Sequence, residues 1–229
     1  PWARIRSKRQ EWTEGLNVKH VSQGTEMLYY VGCTSAYDPR MQNVAKSTAT
    51  CFEKAGLNYG ILGEEECCCG SEVYGMGEKG LFDYLVEENM KAFNKYGLKQ
   101  VVTGCPHGFH AFKNRYNQTS LEVKHHTQLL AKLAEDKKLV FSRELGKKVI
   151  YHDPCFLGKQ NGVYDEPRKA IESLPGVKLL EFDRSRARSL CCEGGGGRMW
   201  VDIPGPRLAE VRVKDAVEAG ADVLAVACP

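Results

Sequence analysis

Gln100-Val101-Val102-Thr103-Gly104-Cys105-Pro106 and Val223-Leu224-Ala225-Val226-Ala227-Cys228-Pro229 are two versions of one pattern, 123 positions apart: a short run rich in β-branched residues that stops at Cys-Pro. Such a run, closed by a turn-forming residue, reads as a buried strand. Each heptapeptide therefore predicts a strand that delivers a cysteine at its carboxyl end. The other cysteines fall into the same frame. Cys33, Cys68, Cys69 and Cys105 are separated by 35, 1 and 36 positions, and Cys155, Cys191, Cys192 and Cys228 by 36, 1 and 36. Two quartets that match to within one residue mark an internal duplication, and a repeat constrains the fold before any single element does.

The surrounding pattern repeats too. In the first copy a strand over 27–31 is expected to end at Gly32-Cys33. A helix over 39–55, a strand over 57–62, the Cys67–Gly70 turn, an amphipathic helix over 79–96 and the strand 100–103 follow. The second copy has a strand over 148–151 leading to Cys155, a helix over 166–173 and a strand over 177–182. The Cys191-Cys192 turn, a helix over 207–219 and the strand 223–227 complete it. Strands alternating with helices predict an α/β fold of βαβ units with small parallel sheets, in two homologous halves related by a pseudo-twofold axis. The expected divisions are an N-terminal linker (1–24), a first repeat (25–118), a connecting segment with a helix over 127–139 (119–146) and a second repeat (147–229). Open parallel sheets gather ligands at the carboxyl ends of their strands. The cysteines are accordingly expected to converge as 33/68/69/105 and 155/191/192/228.

The bulk numbers narrow the function. With 229 residues, 42% hydrophobic and 27% charged, the chain can bury a sizeable core. A net charge of +3, from 32 basic and 29 acidic side chains, gives no reason to invoke nucleic acid. No stretch approaches the roughly 20 apolar residues of a membrane span. No apolar h-region follows Pro1-Trp2-Ala3-Arg4-Ile5-Arg6, so the ten cysteines are expected in a reducing, cytoplasmic setting, where clustered thiols favour metal or redox chemistry. The start without methionine and the stop at Cys228-Pro229 suggest a piece of a longer protein with its second repeat truncated.

Four thiolates can hold a structural zinc or an iron–sulfur cluster. Zinc sites usually draw on Cys-x-x-Cys knuckles. The adjacent pairs Cys68-Cys69 and Cys191-Cys192 instead diverge from one backbone turn, which suits two different irons better than two vertices of one tetrahedron. Vicinal disulfides would be strained. Iron–sulfur is the favoured reading, with zinc open in one half. Gly70, Gly75 and Gly77 after the first pair, and Gly194-Gly195-Gly196-Gly197 after the second, allow close backbone approach and aim N–H groups at sulfur. No Gly-Lys-Ser/Thr follows them, so they do not form a phosphate loop.

Among the remaining residues, Cys51 is expected as a small buried hydrophobe in mid-helix, and Cys67 as either a spare ligand or a bystander. His107 is expected to cap a helix or face solvent rather than ligate, and His152 and Asp153 to position the cysteine loop. His125 and His126 are expected to be structural, and Trp200 to be core. Arg4, Arg6, Lys8 and Arg9 read as a solvated linker, with docking to an acidic partner or membrane surface as the functional alternative.

Cys33, Cys68-Cys69-Gly70 and Cys105-Pro106 resemble the cysteine-rich "CCG" domain. So do His152-Asp153-Pro154-Cys155, Cys191-Cys192 with its glycines and Arg198-Met199-Trp200, and Cys228-Pro229. The domain occurs twice in the catalytic subunit of heterodisulfide reductases. It also occurs in related iron–sulfur oxidoreductases of lactate or glycolate oxidation, anaerobic glycerol-3-phosphate oxidation and flavoprotein-linked quinone reduction. The resemblance runs from about residue 26 to the end. It implies two [4Fe–4S] clusters held by Cys33, Cys68, Cys69, Cys105, Cys155, Cys191, Cys192 and Cys228 at strand ends facing the interface between halves, a non-cubane form being open for at least one.

Electrons would come from a ferredoxin-like module or a flavoprotein, and a disulfide substrate would be reduced at the second cluster. The alternative is a relay between a flavoprotein dehydrogenase, or electron-transfer flavoprotein, and a membrane quinone-reducing subunit, with the chain peripheral at the membrane. A zinc-stabilised non-redox scaffold is the third reading. The family's fifth thiolate falls three residues after the last cysteine. Here that position is Gly108 in the first half and lies beyond Pro229 in the second. The first cluster would then be cubane, a four-ligand variant, or completed by His107 or Cys67. Glu193 stands where the family has a glycine.

Overall fold

The computed structural model describes residues 6–116, 120–195, 197–198, 201–202 and 204–229; Arg4, Gly196, Met199 and Trp200, singled out above, lie outside the described residues. The expected α/β architecture is present as two parallel sheets. In the first, β1 (Met27–Tyr30) lies between β2 (Tyr59–Gly60) and β3 (Gln100–Thr103), and β4 (Glu122–His125) adds outside β3. In the second, β5 (Lys148–His152) lies between β6 (Lys178–Leu180) and β7 (Val223–Val226). In both sheets the earliest strand is central, its successor sits on one side and the cysteine-delivering third strand on the other. Tyr30 pairs with Thr103 at one strand end, and His152 with Val226 at the other.

The central strand shows why this sequence forms a sheet. Every residue of β1 is buried, as a parallel strand covered on both faces requires. Its pleat sends Leu28 and Tyr30 to one side with Val101, Phe93 and Phe112. Met27 and Tyr29 go to the other with Ala45, Phe52, Val102 and Trp12. Burying side chains of this size contributes roughly 1.5–3 kcal/mol each before conformational entropy is counted. Helix α1 (Cys33–Tyr37) follows β1 directly, and α2 (Pro39–Lys54) covers the Tyr29 face with Ala45, Thr48, Ala49 and Phe52. Its start is set by Asp38, which accepts from the Arg40 amide at 2.8 Å, and by Pro39 in the first turn. The remaining helices are α3 (Ser71–Gly75), α4 (Lys79–Lys95), α5 (Pro106–Asn114), α6 (His126–Glu135), α7 (Asp165–Glu172) and α8 (Leu208–Glu218).

Three expectations need correction. The strand expected over 57–62 is only Tyr59–Gly60, because Ile61 leaves the ladder to exchange backbone hydrogen bonds with Lys19 and Val21, at 3.0 and 2.9 Å. The segment read as an N-terminal linker is therefore part of the fold. Arg6–Thr13 forms a 3-10 turn that buries Arg9 and Trp12, the latter edge-on to Tyr29 at 5.9 Å. The segment read as a connection supplies a fourth strand: Glu122–His125 pairs with Gln100–Thr103 along its whole length. Its mixed Glu-Val-Lys-His composition carries no strong strand pattern, and the edge position explains why it needs none. Among the described residues no helix is long and apolar enough to cross a membrane.

Candidate metal centre

The cysteines stand where the strands end. Cys33 opens α1 directly after β1, and Cys105 is the residue before α5. Cys155 follows β5, and Cys228 follows β7. The adjacent pairs lie in the loops after β2 and β6.

All ten cysteines are free thiols, and in the first half Cys33 and Cys68 influence each other's ionisation, Cys69 that of Cys68, and Cys33 that of Cys105. In the second half Cys155 interacts with Cys191 and Cys192, and Cys228 with Cys192 and Cys155. Each expected quartet is thus mutually coupled. Among the described residues no group of three or more His, Cys, Asp or Glu side chains is set to hold a single metal ion. Thiolates on separate irons of one inorganic core stand farther apart than donors around one ion, so coupling without single-ion closure is consistent with a cluster.

The electrostatics fit the same donor set. Burial pushes the Cys105 thiol up to about 12, with Cys33 adding to the shift and backbone N–H groups of Gly108 and His107 opposing it. Cys68 reaches about 11: its hydrogen bond with Cys33 lowers it, but the bond with Cys69 and burial outweigh that. Cys33 is raised by its hydrogen bond with Cys68 and then by burial, while the nearby Arg9 guanidinium pulls it down. Burial followed by neighbouring thiols raises Cys155 and Cys228. Strong positive charge placed among such thiols would favour the thiolate form.

Backbone amides are already aimed at sulfur. Gly70 N–H points to Cys68 Sγ at 3.4 Å, Glu193 N–H to Cys191 Sγ at 3.3 Å, and Gly194 N–H to Cys192 Sγ at 3.4 Å. The residue after each pair takes a left-handed backbone, Gly70 at φ 78° and Glu193 at φ 58°. That conformation explains the glycine expected at 193. Glu193 offsets part of its strain by accepting from the Leu208 amide at 2.9 Å, at the start of α8. An added Cβ at Gly108 would stand 3.8 Å from Cys69 Sγ, so this position faces the first quartet, yet it contributes no thiol.

The other sequence candidates fall elsewhere. Cys67 turns its thiol to Arg6 at 3.4 Å, and its carbonyl accepts from Tyr30 Oη and, at 3.2 Å, from Arg9 Nη2. Cys51 is only partly buried, not a core residue as expected, because its face of α2 is open to solvent. His107 Nδ1 is paired with Glu72, and its ring lies 4.4 Å from Phe156 of the other half. His152 accepts from Arg212 Nε at 3.2 Å. Asp153 takes a two-pronged bond from Arg168 at 2.7 and 2.9 Å and a third from the Arg186 amide at 2.7 Å.

Sequence reading missed the buried Arg9–Glu66 pair. Glu66 also accepts from the amides of Val31 and Gly32, at 3.0 and 2.9 Å, and so holds the turn that presents Cys33. Only the local Glu-Cys-Cys-Cys run hinted at a carboxylate there. Across the two halves, Cys105 and Glu72 both act electrostatically on Cys228.

The model of the cysteine-rich "CCG" domain matches residues 27–113 and again 149–229. The chain belongs to the CCG family. Its two matched copies coincide with the two sheets, apart from β4 and α6, which fall between them. The chain is 35% identical over its whole length to the EtfAB:quinone oxidoreductase of Syntrophomonas wolfei and to the probable iron-sulfur-binding oxidoreductase FadF of Bacillus subtilis, spanning 34% of each. It is 36% identical, again over its whole length, to a subunit of the dihydromethanophenazine:CoB–CoM heterodisulfide reductase of Methanosarcina barkeri, spanning 57% of that protein. It thus covers between about a third and just over half of these relatives.

Proposed function

We propose that this chain is the cluster-bearing portion of an iron–sulfur oxidoreductase, with one [4Fe–4S] cluster on Cys33, Cys68, Cys69 and Cys105 and a second on Cys155, Cys191, Cys192 and Cys228. The observation that carries the reading is the matching placement of the two cysteine quartets, with single cysteines after the central and third strands of each sheet and an amide-bonded adjacent pair in the loop after the other strand. The relatives named as iron–sulfur-binding and as oxidoreductases support it. Such clusters supply one electron at a time and, where an iron is accessible, a soft site for sulfur. The protein's own part is to hold the thiolates and donate amide hydrogen bonds to them.

The finer reading is reduction of a disulfide at the second quartet, as in the heterodisulfide reductase relatives. Cys191 is exposed, whereas the other seven quartet cysteines are partly covered, so the second site is the more open to a substrate. A disulfide consumes two electrons and two protons to give two thiols. A ferredoxin-like module or flavoprotein would provide the electrons, and water the protons. The second reading, a relay from a flavoprotein towards quinone, is favoured by Gly108, which faces the first quartet without adding a fifth thiolate.

Iron and acid-labile sulfide analysis with a visible spectrum tests the common core. Both elements in cluster stoichiometry are expected, and a colourless zinc protein would refute it. Mixing the reduced protein with a disulfide separates the two readings: thiol release is expected from the first, and its absence leaves the relay.

A further inference from the structure

The carbonyls of three consecutive cysteines are each claimed by a side chain from a different part of the first half. Tyr30, the last residue of β1, donates its hydroxyl to the Cys67 carbonyl. Asn89, within α4, donates to the Cys68 carbonyl at 2.9 Å. Tyr116, two residues after α5, donates its hydroxyl to the Cys69 carbonyl at 3.2 Å. All three side chains are buried, Asn89 completely. Asn89 Nδ2 also lies 3.0 Å from the Leu85 carbonyl and 3.0 Å from Tyr116 Oη. Two of these three neighbours are carbonyl oxygens, so the amide must present its nitrogen to them, which leaves the Tyr116 hydroxyl proton free for Cys69. The Tyr116 ring is held edge-on by Phe112 at 4.8 Å and by Phe82 at 6.2 Å.

A peptide unit is planar, so fixing a carbonyl also fixes the N–H of the next residue. The Cys69 carbonyl shares its plane with the Gly70 N–H, and that N–H points to Cys68 Sγ at 3.4 Å. Tyr116 therefore holds, from within the core, the amide that bonds the sulfur. Asn89 fixes the preceding plane in the same way, the one that carries the Cys69 N–H. The second half uses the matching position differently. Arg212 stands 21 residues after Cys191, as Asn89 stands 21 after Cys68. Its Nη2 donates to Ser189 Oγ at 3.0 Å and to the Arg184 carbonyl at 2.6 Å. Arg212 thus braces the loop upstream of its pair, and Cys191 is exposed.

We infer that Tyr116 and Asn89 are positioning residues of the first metal centre, which lock the peptide planes after Cys68 and Cys69 and keep the Gly70 amide on the Cys68 sulfur. The bearing on the metal rests on the cluster proposed above, but the hold on the two planes does not. An N–H dipole aimed at a ligand sulfur favours the reduced, more negative state of a centre. Releasing the Gly70 amide should therefore make the first centre harder to reduce and leave the second as it was.

The test begins with amide hydrogen exchange in the metal-free 229-residue chain, read residue by residue by NMR. Tyr116→Phe keeps the buried ring and removes only the donor to Cys69. Exchange at Gly70 should rise about fivefold, as loss of one hydrogen bond implies, with exchange at Gly194 unchanged. Asn89→Leu should speed exchange at Cys69 as well as Gly70, and Tyr116→Phe stands alone if that variant does not fold. In the reconstituted chain at unchanged iron content, Tyr116→Phe should move one of two reduction potentials to a more negative value and leave the other in place. A folded Tyr116→Phe in which Gly70 exchanges as in the wild type overturns the inference. So does an equal rise at Gly70 and Gly194, which would mean general destabilisation, and so do two unmoved potentials beside a released Gly70. A rise confined to Gly70 in a chain that takes up no iron supports the hold on the peptide planes and rejects the cluster reading instead.

Discussion

Arg9 and Glu66, 57 positions apart in sequence, form a buried ion pair with Nη2 2.6 Å from Oε1, both side chains at most 4% exposed. The carboxylate is shared: one oxygen also takes the Gly32 amide and the other the Val31 amide, so the pair locks the N-terminal turn onto the backbone that presents Cys33. Arg9→Met should leave that carboxylate buried without its cation, at a cost of about 3–5 kcal/mol. Urea unfolding would show this as a lowered midpoint. The double variant Arg9→Met/Glu66→Gln should recover part of the loss, because the stranded charge is gone. A single variant as stable as the wild type would mean that the N-terminal turn is not held by this pair.

His107 and Gly195 show how closely the halves approach. A Cβ built on Gly195 would lie 2.2 Å from His107 Cε1. The ring has no retreat, being paired with Glu72 on one side and tilted against Phe156 on another. Gly195→Ala should therefore destabilise by about 1–3 kcal/mol through overpacking. Gly194→Ala, whose nearest contact would be Cys192 Sγ at 3.4 Å, should cost less. Thermal midpoints of the two variants make the comparison, and equal midpoints would contradict it.

Acid stability should follow the buried histidines. Burial and then the Arg212 guanidinium hold His152 at about 4, against an ordinary value of 6.5. Burial alone holds His126 at about 4, and burial first, then His126, keeps His125 well below 6.5. These groups bind protons more readily when unfolded. Their contribution is complete above pH 6.5 and is lost as the pH falls towards 4. For His152 the full effect is on the order of 3 kcal/mol. Urea titrations of the metal-free protein across this range should show falling stability with acid, and His152→Gln should flatten the slope. The raised cysteines do not interfere, since they titrate far above this range.

The repeat and everything local to it were legible along the chain. Apolar runs such as Val101-Val102 and Val149-Ile150-Tyr151 had to be buried strands, because nothing else hides so many β-branched and aromatic side chains in so few residues. The equal cysteine spacing then placed four thiols just after strands and the two adjacent pairs in the loops that follow the other strands. The proximity of residues remote along the chain came from folding alone. Arg9 looked like one of a solvated basic run until Glu66 met it. His125 lay in an apparent connection until β4 joined the sheet and brought its ring to the Gly104 carbonyl. Buried charge and shared hydrogen bonds leave no periodic trace along a chain, because each is a single contact between segments that only folding brings together.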